Sequence, residues 1–339
     1  MKWLTPKFAG SLFLAAVLAV PWASADANKN PAVPGTLNYV EGQVLMNGEA
    51  LDAKRVGSAA LESGQLLATE TGKAELLLTP GVFLRLGDHG SVQMVSPSLT
   101  DTEVALNQGE ALVEVDQIYP QNDIRITQNG SSTQLLKVGL YDFDANRNLV
   151  RVFDGKAQIT SHDEQVTVKG GREVALNTSG KLKAQKFDKK NYAAADLYRW
   201  SGLRSNYLAE ANVDAARLYL ANGWYGPGWV GAGWYWDPWF EAYTFVPGGG
   251  ILYNPFGWGF YSPLWAYQSP FFYGGYYGHR FTDRPGRVAY GSGPYHSRAI
   301  ESGPGFTGAR SRSPGMGQTH GFSTGGGGGF HGGGLGGHR

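Results

Sequence analysis

Residues 73–86 read KAELLLTPGVFLRL. Two apolar runs, 73–78 and 82–86, flank Thr79-Pro80-Gly81. Proline presets φ at the second position of a turn, and glycine accepts the positive φ that follows. The stretch therefore reads as a β-hairpin closed by a Pro-Gly turn. Runs of the same texture lie on both sides. Residues 37–40 and 43–46 precede it around Glu41-Gly42. Residues 91–95, 103–106, 111–115, 124–127, 134–138, 140–143, 149–153, 157–160, 165–168 and 173–176 follow it, punctuated by Gly and Asn/Asp. Short strands at this spacing predict a mainly β domain over residues 36–186, a multi-stranded, antiparallel-rich roll or sandwich. About 150 residues of this kind bury a real core.

The bulk numbers bound what surrounds that domain. The chain has 339 residues, enough for one large or two modest domains. Only 17% are charged, against about a quarter in ordinary soluble domains, and fifty are glycine. The formal net charge of +1 hides an asymmetry: residues 26–221 hold 20 basic and 24 acidic groups, whereas the chain from residue 279 onward sets seven arginines against Asp283 and Glu301. No basic field covers the β region, so nucleic acid is not an expected partner. Cysteine is absent, which excludes a disulfide framework and thiol chemistry.

The N-terminus speaks to compartment. Lys2 and Lys7 flank the start of an apolar run over 8–20, broken by Pro21 and followed by Ala23-Ser24-Ala25. This is the pattern of a signal peptide over 1–25, with Asp26 as the mature start. The run is shorter than the roughly 20 residues a membrane span needs. The expected location is therefore outside the cytoplasm: periplasm, cell envelope or medium. Residues 26–35, with Pro31 and Pro34, read as a linker.

After the β region the period changes. Leu197, Trp200, Leu203 or Arg204, Tyr207, Leu208, Ala211, Ala215 and Leu218 recur at three or four, predicting a helical segment over 187–221. Gly202 is a candidate break and Asn222-Gly223 the stop. An aromatic stripe of this kind is first of all a packing face.

Residues 222–278 are a different material. Seven of the ten tryptophans lie here, with Asp237 and Glu241 as the only charges. Asp237-Pro238-Trp239, Asn254-Pro255-Phe256, Ser262-Pro263-Leu264 and Ser269-Pro270-Phe271 repeat a polar-proline-apolar theme. Short extended pieces joined by turns are expected, in a low-complexity C-terminal region. Residues 279–339 are Gly, Ser, Arg and His with few large apolar groups, and are expected to be disordered.

Four stretches resemble the periplasmic FecR domain. They are VEGQV at 40–44, LESGQLLATETGKAELLLTPGVFLRLG at 61–87, VALNQGEALVEV at 104–115 and VFDGKAQI at 152–159. They occur in the family's order and cover about residues 36–180. The resemblance implies a β-rich, non-enzymatic module. In the family's best-known members it senses an outer-membrane transporter and signals through a membrane helix to a sigma-regulating segment. Only seven residues precede the apolar run here, so the resemblance does not carry that cytoplasmic part over.

Candidate chemistry is sparse. DFDANRN at 142–148 opens like a calcium loop, but Arg147 stands where glycine is wanted and Phe153 where a bidentate glutamate is wanted. A polar turn between two strands explains it better. His279, His296, His320, His331 and His338 sit among glycines without ligand spacing, and His89 and His162 lie in separate turns. No phosphate loop, zinc-protease motif or nucleophile triad is present, and no cofactor or metal is implied.

The tryptophans remain. Each buried aromatic covers roughly 150–250 Å², and exposed apolar patches rarely exceed a few hundred Å². Trp224, Trp229, Trp234, Trp236, Trp239, Trp258 and Trp265 must meet something. They can fold back on the β domain, or they can face a partner: an envelope protein, a glycan, a membrane surface or another copy. The expected function is a non-enzymatic binding or scaffold protein of the bacterial envelope, with 222–278 as its contact surface. Envelope sensing within a FecR-type system, or carbohydrate binding or turnover along the tryptophans, are the alternatives.

Overall fold

The computed structural model describes residues 31–176, 181–221 and 232–268, all within one compact unit. The expected signal peptide, the first half of the linker and the Arg/His tail lie outside the described residues.

The strands follow the expected texture. The first seven are β1 (Leu37–Met46), β2 (Glu49–Ala50), β3 (Leu66–Leu77), β4 (Val82–Leu86), β5 (Ser91–Pro97), β6 (Asp101–Gln108) and β7 (Glu110–Val115). Then come β8 (Asp123–Gln128), β9 (Ser131–Leu135), β10 (Gly139–Asp144), β11 (Leu149–Asp154), β12 (Lys156–Ser161), β13 (Glu164–Lys169), β14 (Arg172–Ala175) and β15 (Gln185–Lys186). They form one sheet in the order β13-β12-β9-β8-β6-β5-β3-β4-β7-β10-β11-β14-β15, with β1 on β3 and β2 on β1. Among the described residues only β6 and β8 pair in parallel. The fold is mainly β, as expected.

β3 joins two halves of this sheet. Its first residues, Leu66 to Ala68, pair with β5, and Ala74 to Leu77 pair with β4, while β1 runs along its length. The two halves enclose one core, in which Ile124, Ile126, Ile159 and Val168 from one side meet Leu84, Val113, Tyr141 and Val150 from the other.

The opening hairpin forms as its sequence dictates. Leu78 N–H donates to Val82 O at 3.0 Å and Val82 N–H to Thr79 O at 2.7 Å, and Gly81 takes φ +84°. Its strands are buried on both faces. Leu76 and Leu84 enter the roll, whereas Leu77 and Phe83 point outward into a second apolar cluster. This explains the unbroken runs ELLL and VFLRL: a strand wetted on one face would alternate. β8, half-exposed on alternate residues, does alternate.

Two expectations need correction. Residues 37–46 are one strand, not two, with the register shift at Gly42/Val44 absorbing the break. β9 starts at Ser131 rather than 134, because Asn129 (φ +47°) and Gly130 (φ +76°) form the turn before it. The calcium-like stretch is, as expected, a turn between two strands, β10 and β11, in which Asp144 Oδ1 accepts from Arg147 N–H at 2.9 Å, while Asp142 is paired with Arg151.

Two helices follow, α1 (Lys189–Tyr192) and α2 (Asp196–Ala221). α2 runs through Gly202 without a break. The expected stripe is buried at Leu197, Arg204, Leu208, Ala211 and Ala215, but Leu203, Tyr207 and Leu218 are exposed, and Ser201, Ser205 and Asn212, which are not part of it, face inward. Then come two hairpins, β16 (Gly233–Asp237) with β17 (Ala242–Val246) and β18 (Ile251–Tyr253) with β19 (Gly259–Tyr261), and α3 (Pro263–Gln268). Extended pieces joined by turns are thus found at Asp237-Pro238 and Asn254-Pro255. Ser262-Pro263 instead opens a helix, with proline at the first helical position, where its missing N–H costs nothing. No described helix is long and apolar enough to cross a membrane.

Candidate functional site

α2 and the two hairpins cover the outer face of β3, β4 and β7. That face is apolar at Leu77, Phe83 and Leu112, but it also carries Glu75, Arg85 and Glu114, each fully buried. An isolated charge there would be prohibitive, so each must be paired. Register sets Glu75 opposite Arg85. Arg85 Nε donates to Glu75 Oε2 at 2.8 Å, and its Nη1 donates to Glu114 Oε2.

The remaining oxygens are met from the C-terminal side. Arg204 Nη2 on α2 donates to Glu75 Oε1 at 2.9 Å, and Ser205 Oγ donates to Glu114 Oε1 at 2.7 Å. Asn254, in the β18–β19 turn, donates from Nδ2 to Glu114 Oε1 at 2.7 Å. The Arg204 guanidinium also lies over the Tyr39 ring, 4.1 Å from its centroid. Burial pushes the Glu75 carboxyl up, but Arg204 and Arg85 together outweigh it and hold it below the usual carboxylate range. All four oxygens of the two glutamates are occupied. The cluster is a buried charged seam that ties two layers together.

Three asparagine amides extend the seam to the hairpins' backbone. Asn38 on β1 accepts from Tyr243 N–H at 2.7 Å and donates to Tyr243 O at 2.9 Å. Asn212 on α2 donates to Phe245 O at 2.9 Å and Tyr261 O at 3.0 Å and accepts from Tyr261 N–H at 2.7 Å, bridging both hairpins. Asn254 accepts from Trp258 N–H at 2.8 Å. These amides supply the partners that short hairpins otherwise leave to water. A third buried arginine, Arg151 on β11, pairs with Asp142 and lies 4.3 Å from the Tyr192 ring centroid, fixing α1 in the same way.

The seven tryptophans separate into three groups. Trp224 and Trp229 lie outside the described residues. Trp234, Trp236 and Trp258 turn inward. Trp234 meets Phe83 edge-on at 4.9 Å, and Trp236 meets Tyr243 edge-on at 5.1 Å. Trp236 also lies over Gly57, where a β-carbon would fall 2.3 Å from its ring and where φ is +74°. Trp239 and Trp265 face outward, 86% and 47% exposed.

Trp239 is held there. It lies in the β16–β17 turn, where Asp237 Oδ1 accepts from Trp239 N–H at 2.8 Å and Phe240 N–H at 3.1 Å. The Phe240 ring packs edge-on against Tyr207 of α2 at 4.7 Å. The turn is therefore anchored on the helix and presents one indole to solvent. Among the described residues, Leu203, Tyr207 and Leu218 on α2, Tyr253, and Leu264 and Trp265 on α3 are the other large exposed apolar side chains of this layer.

The sequence matches no family model and no curated protein. Among solved structures it is similar to two crystal structures described as "a putative anti-sigma factor from Parabacteroides distasonis". One is 15% identical with a TM-score of 0.34, covering 39% of this chain and 64% of that one. The other is 15% identical with a TM-score of 0.31, covering 36% and 58%. The chain thus spans less than two thirds of either. A likeness of this size carries no functional conclusion.

Proposed function

We propose that this chain is an exported, non-enzymatic binding protein of the bacterial envelope. Its β roll is the scaffold, and the outer surface of α2, the β16–β17 turn and α3 is the contact face. The observation that carries this is Trp239. An indole left 86% exposed at a turn fixed by Asp237 and braced on Tyr207 is poorly suited to packing within its own chain and well suited to anchoring a partner. The leader-like sequence over 1–25 supports export, and the motif order over 36–180 supports a FecR-type module. Those motifs also favour a second reading, in which the bound partner is a membrane regulator to which the chain reports envelope state.

The test compares the full chain with Trp239→Ala and Trp265→Ala by cell fractionation. Retention of the full chain in the envelope fraction, with release on Trp239→Ala, supports the proposal. Equal partition of all three opposes it. Crosslinking the retained chain to a protein with a membrane span would favour the second reading.

A further inference from the structure

The buried seam holds one carboxylate more than its charges can balance. Glu75 and Glu114 are matched by Arg85 and Arg204. Asp116, two residues beyond Glu114, is also buried, 2% exposed; no N–H or O–H donor among the described residues reaches its oxygens, and its side-chain neighbour is the Glu114 carboxylate. Its backbone N–H donates to Gly81 O at 2.7 Å. Above Gly81 lies the ring of Phe245 on β17, close enough that a β-carbon on the glycine would stand 3.2 Å from it. Asp116 is thus fixed at the edge where the C-terminal layer seats on the sheet.

The charged groups that act on it are Glu114 on β7 and Arg85 on β4; through them it adjoins Glu75 on β3 and Arg204 on α2, the rest of the seam. The hairpin layer brings no cation: its charges among the described residues are Asp237 and Glu241, at the β16–β17 turn. With Asp116 neutral the seam sums to zero. With Asp116 ionised it carries one uncompensated negative charge beside Glu114 in a water-excluded site, an arrangement that is disfavoured unless the structure opens.

We propose that Asp116 is a proton-operated latch on the C-terminal layer, which seats firmly while Asp116 holds its proton and loosens when the proton leaves. Burial first, and the Glu114 charge second, raise the Asp116 carboxyl well above the usual carboxylate range. The sign follows from linkage. A carboxyl raised in the folded state favours folding below its unfolded value, near 3.9, and this contribution is lost as pH rises toward the folded value. Across that window the layer's opening constant climbs by up to about tenfold per pH unit.

The experiment uses the full chain and Asp116→Asn, with urea unfolding followed by tryptophan fluorescence from pH 5 to 9. The unsubstituted chain should weaken as pH rises, and Asp116→Asn should weaken less steeply and be the more stable at pH 9, the residual slope coming from other buried carboxyls such as Asp142. Parallel pH profiles overturn the proposal. So does a less stable Asp116→Asn at high pH, because ionised Asp116 would then be a paired group, with the free Arg85 Nη2 as its natural partner. If Asp116→Asn does not fold, Asp116→Ser makes the same comparison. Carboxyl NMR on the unsubstituted chain is independent of any variant, and an Asp116 resonance titrating below pH 5 overturns the latch.

Discussion

Arg204 of α2 donates to Glu75 of β3 at 2.9 Å, joining residues 129 positions apart in a site closed to water. Arg85 already holds the other oxygen of that carboxylate. The helix is thus needed to complete the pairing of a charge that the sheet has buried. The same dependence reaches the hairpins, because Asn212 of α2 holds their backbone and Asn254, which donates to Glu114, accepts from Trp258 N–H in its own hairpin.

Replacing Arg204 by Met keeps much of its packing volume and removes the charge. Glu75 would retain Arg85 and the Asn38 amide, whose Nδ2 donates to Glu75 Oε1 at 2.9 Å, but lose its second cation. Breaking a buried pair costs about 3–5 kcal/mol, and a loss near the lower end of that range is expected in urea unfolding of the full chain.

Acid should act on Glu75. Its carboxyl is held below the usual range, so its stabilisation is present above the unfolded value, near 4.3, and lost as pH falls through the lower folded value. Fluorescence-detected unfolding below about pH 4 should show a loss that Glu75→Gln flattens.

Asn212→Leu should be costly although it removes no charge. It orphans Tyr261 N–H and two carbonyls, those of Phe245 and Tyr261. Each orphaned buried group costs about 1–3 kcal/mol. Asn206→Leu, on the exposed side of the same helix, should stay within about 0.5 kcal/mol. Thermal unfolding of the two variants makes the comparison.

Gly57→Ala tests how closely the aromatic layer is fitted to the roll. The added methyl meets the Trp236 ring at 2.3 Å, from a backbone with positive φ. A destabilisation of about 1–3 kcal/mol is expected, with a change in tryptophan emission as Trp236 is displaced.

The β roll was largely legible in the sequence, because turn chemistry at Thr79-Pro80-Gly81 and alternation along strands such as β8 are local signals. The covered outer face was legible too, in runs such as ELLL and VFLRL that fail to alternate, though what covers it was not. The helix was expected in the right place with part of the wrong face inward. Leu203, Tyr207 and Leu218 outrank Ser205 and Asn212 in hydrophobicity, yet Ser205 meets a carboxylate and Asn212 meets peptide groups rather than an apolar core. The signal that could have found them was the three charges, Glu75, Arg85 and Glu114, set inside apolar strands and requiring distant partners. The tryptophans were read by composition as one surface. Composition cannot separate Trp234 and Trp236, aimed at Phe83 and Gly57 by the pleat of β16, from Trp239, turned outward by Asp237.

The central claim is that the C-terminal layer completes the fold. It is tested most directly by comparing the full chain with one ending at Ala221, using thermal unfolding and size-exclusion chromatography. The shortened chain would expose Leu77, Phe83 and the Glu114 carboxylate now satisfied by Asn254. The account predicts a lower melting temperature together with aggregation or protease sensitivity. A shortened chain that remains monomeric and melts with the full-length protein would contradict it, and would make residues 232–268 an attachment resting on a roll that is complete without them.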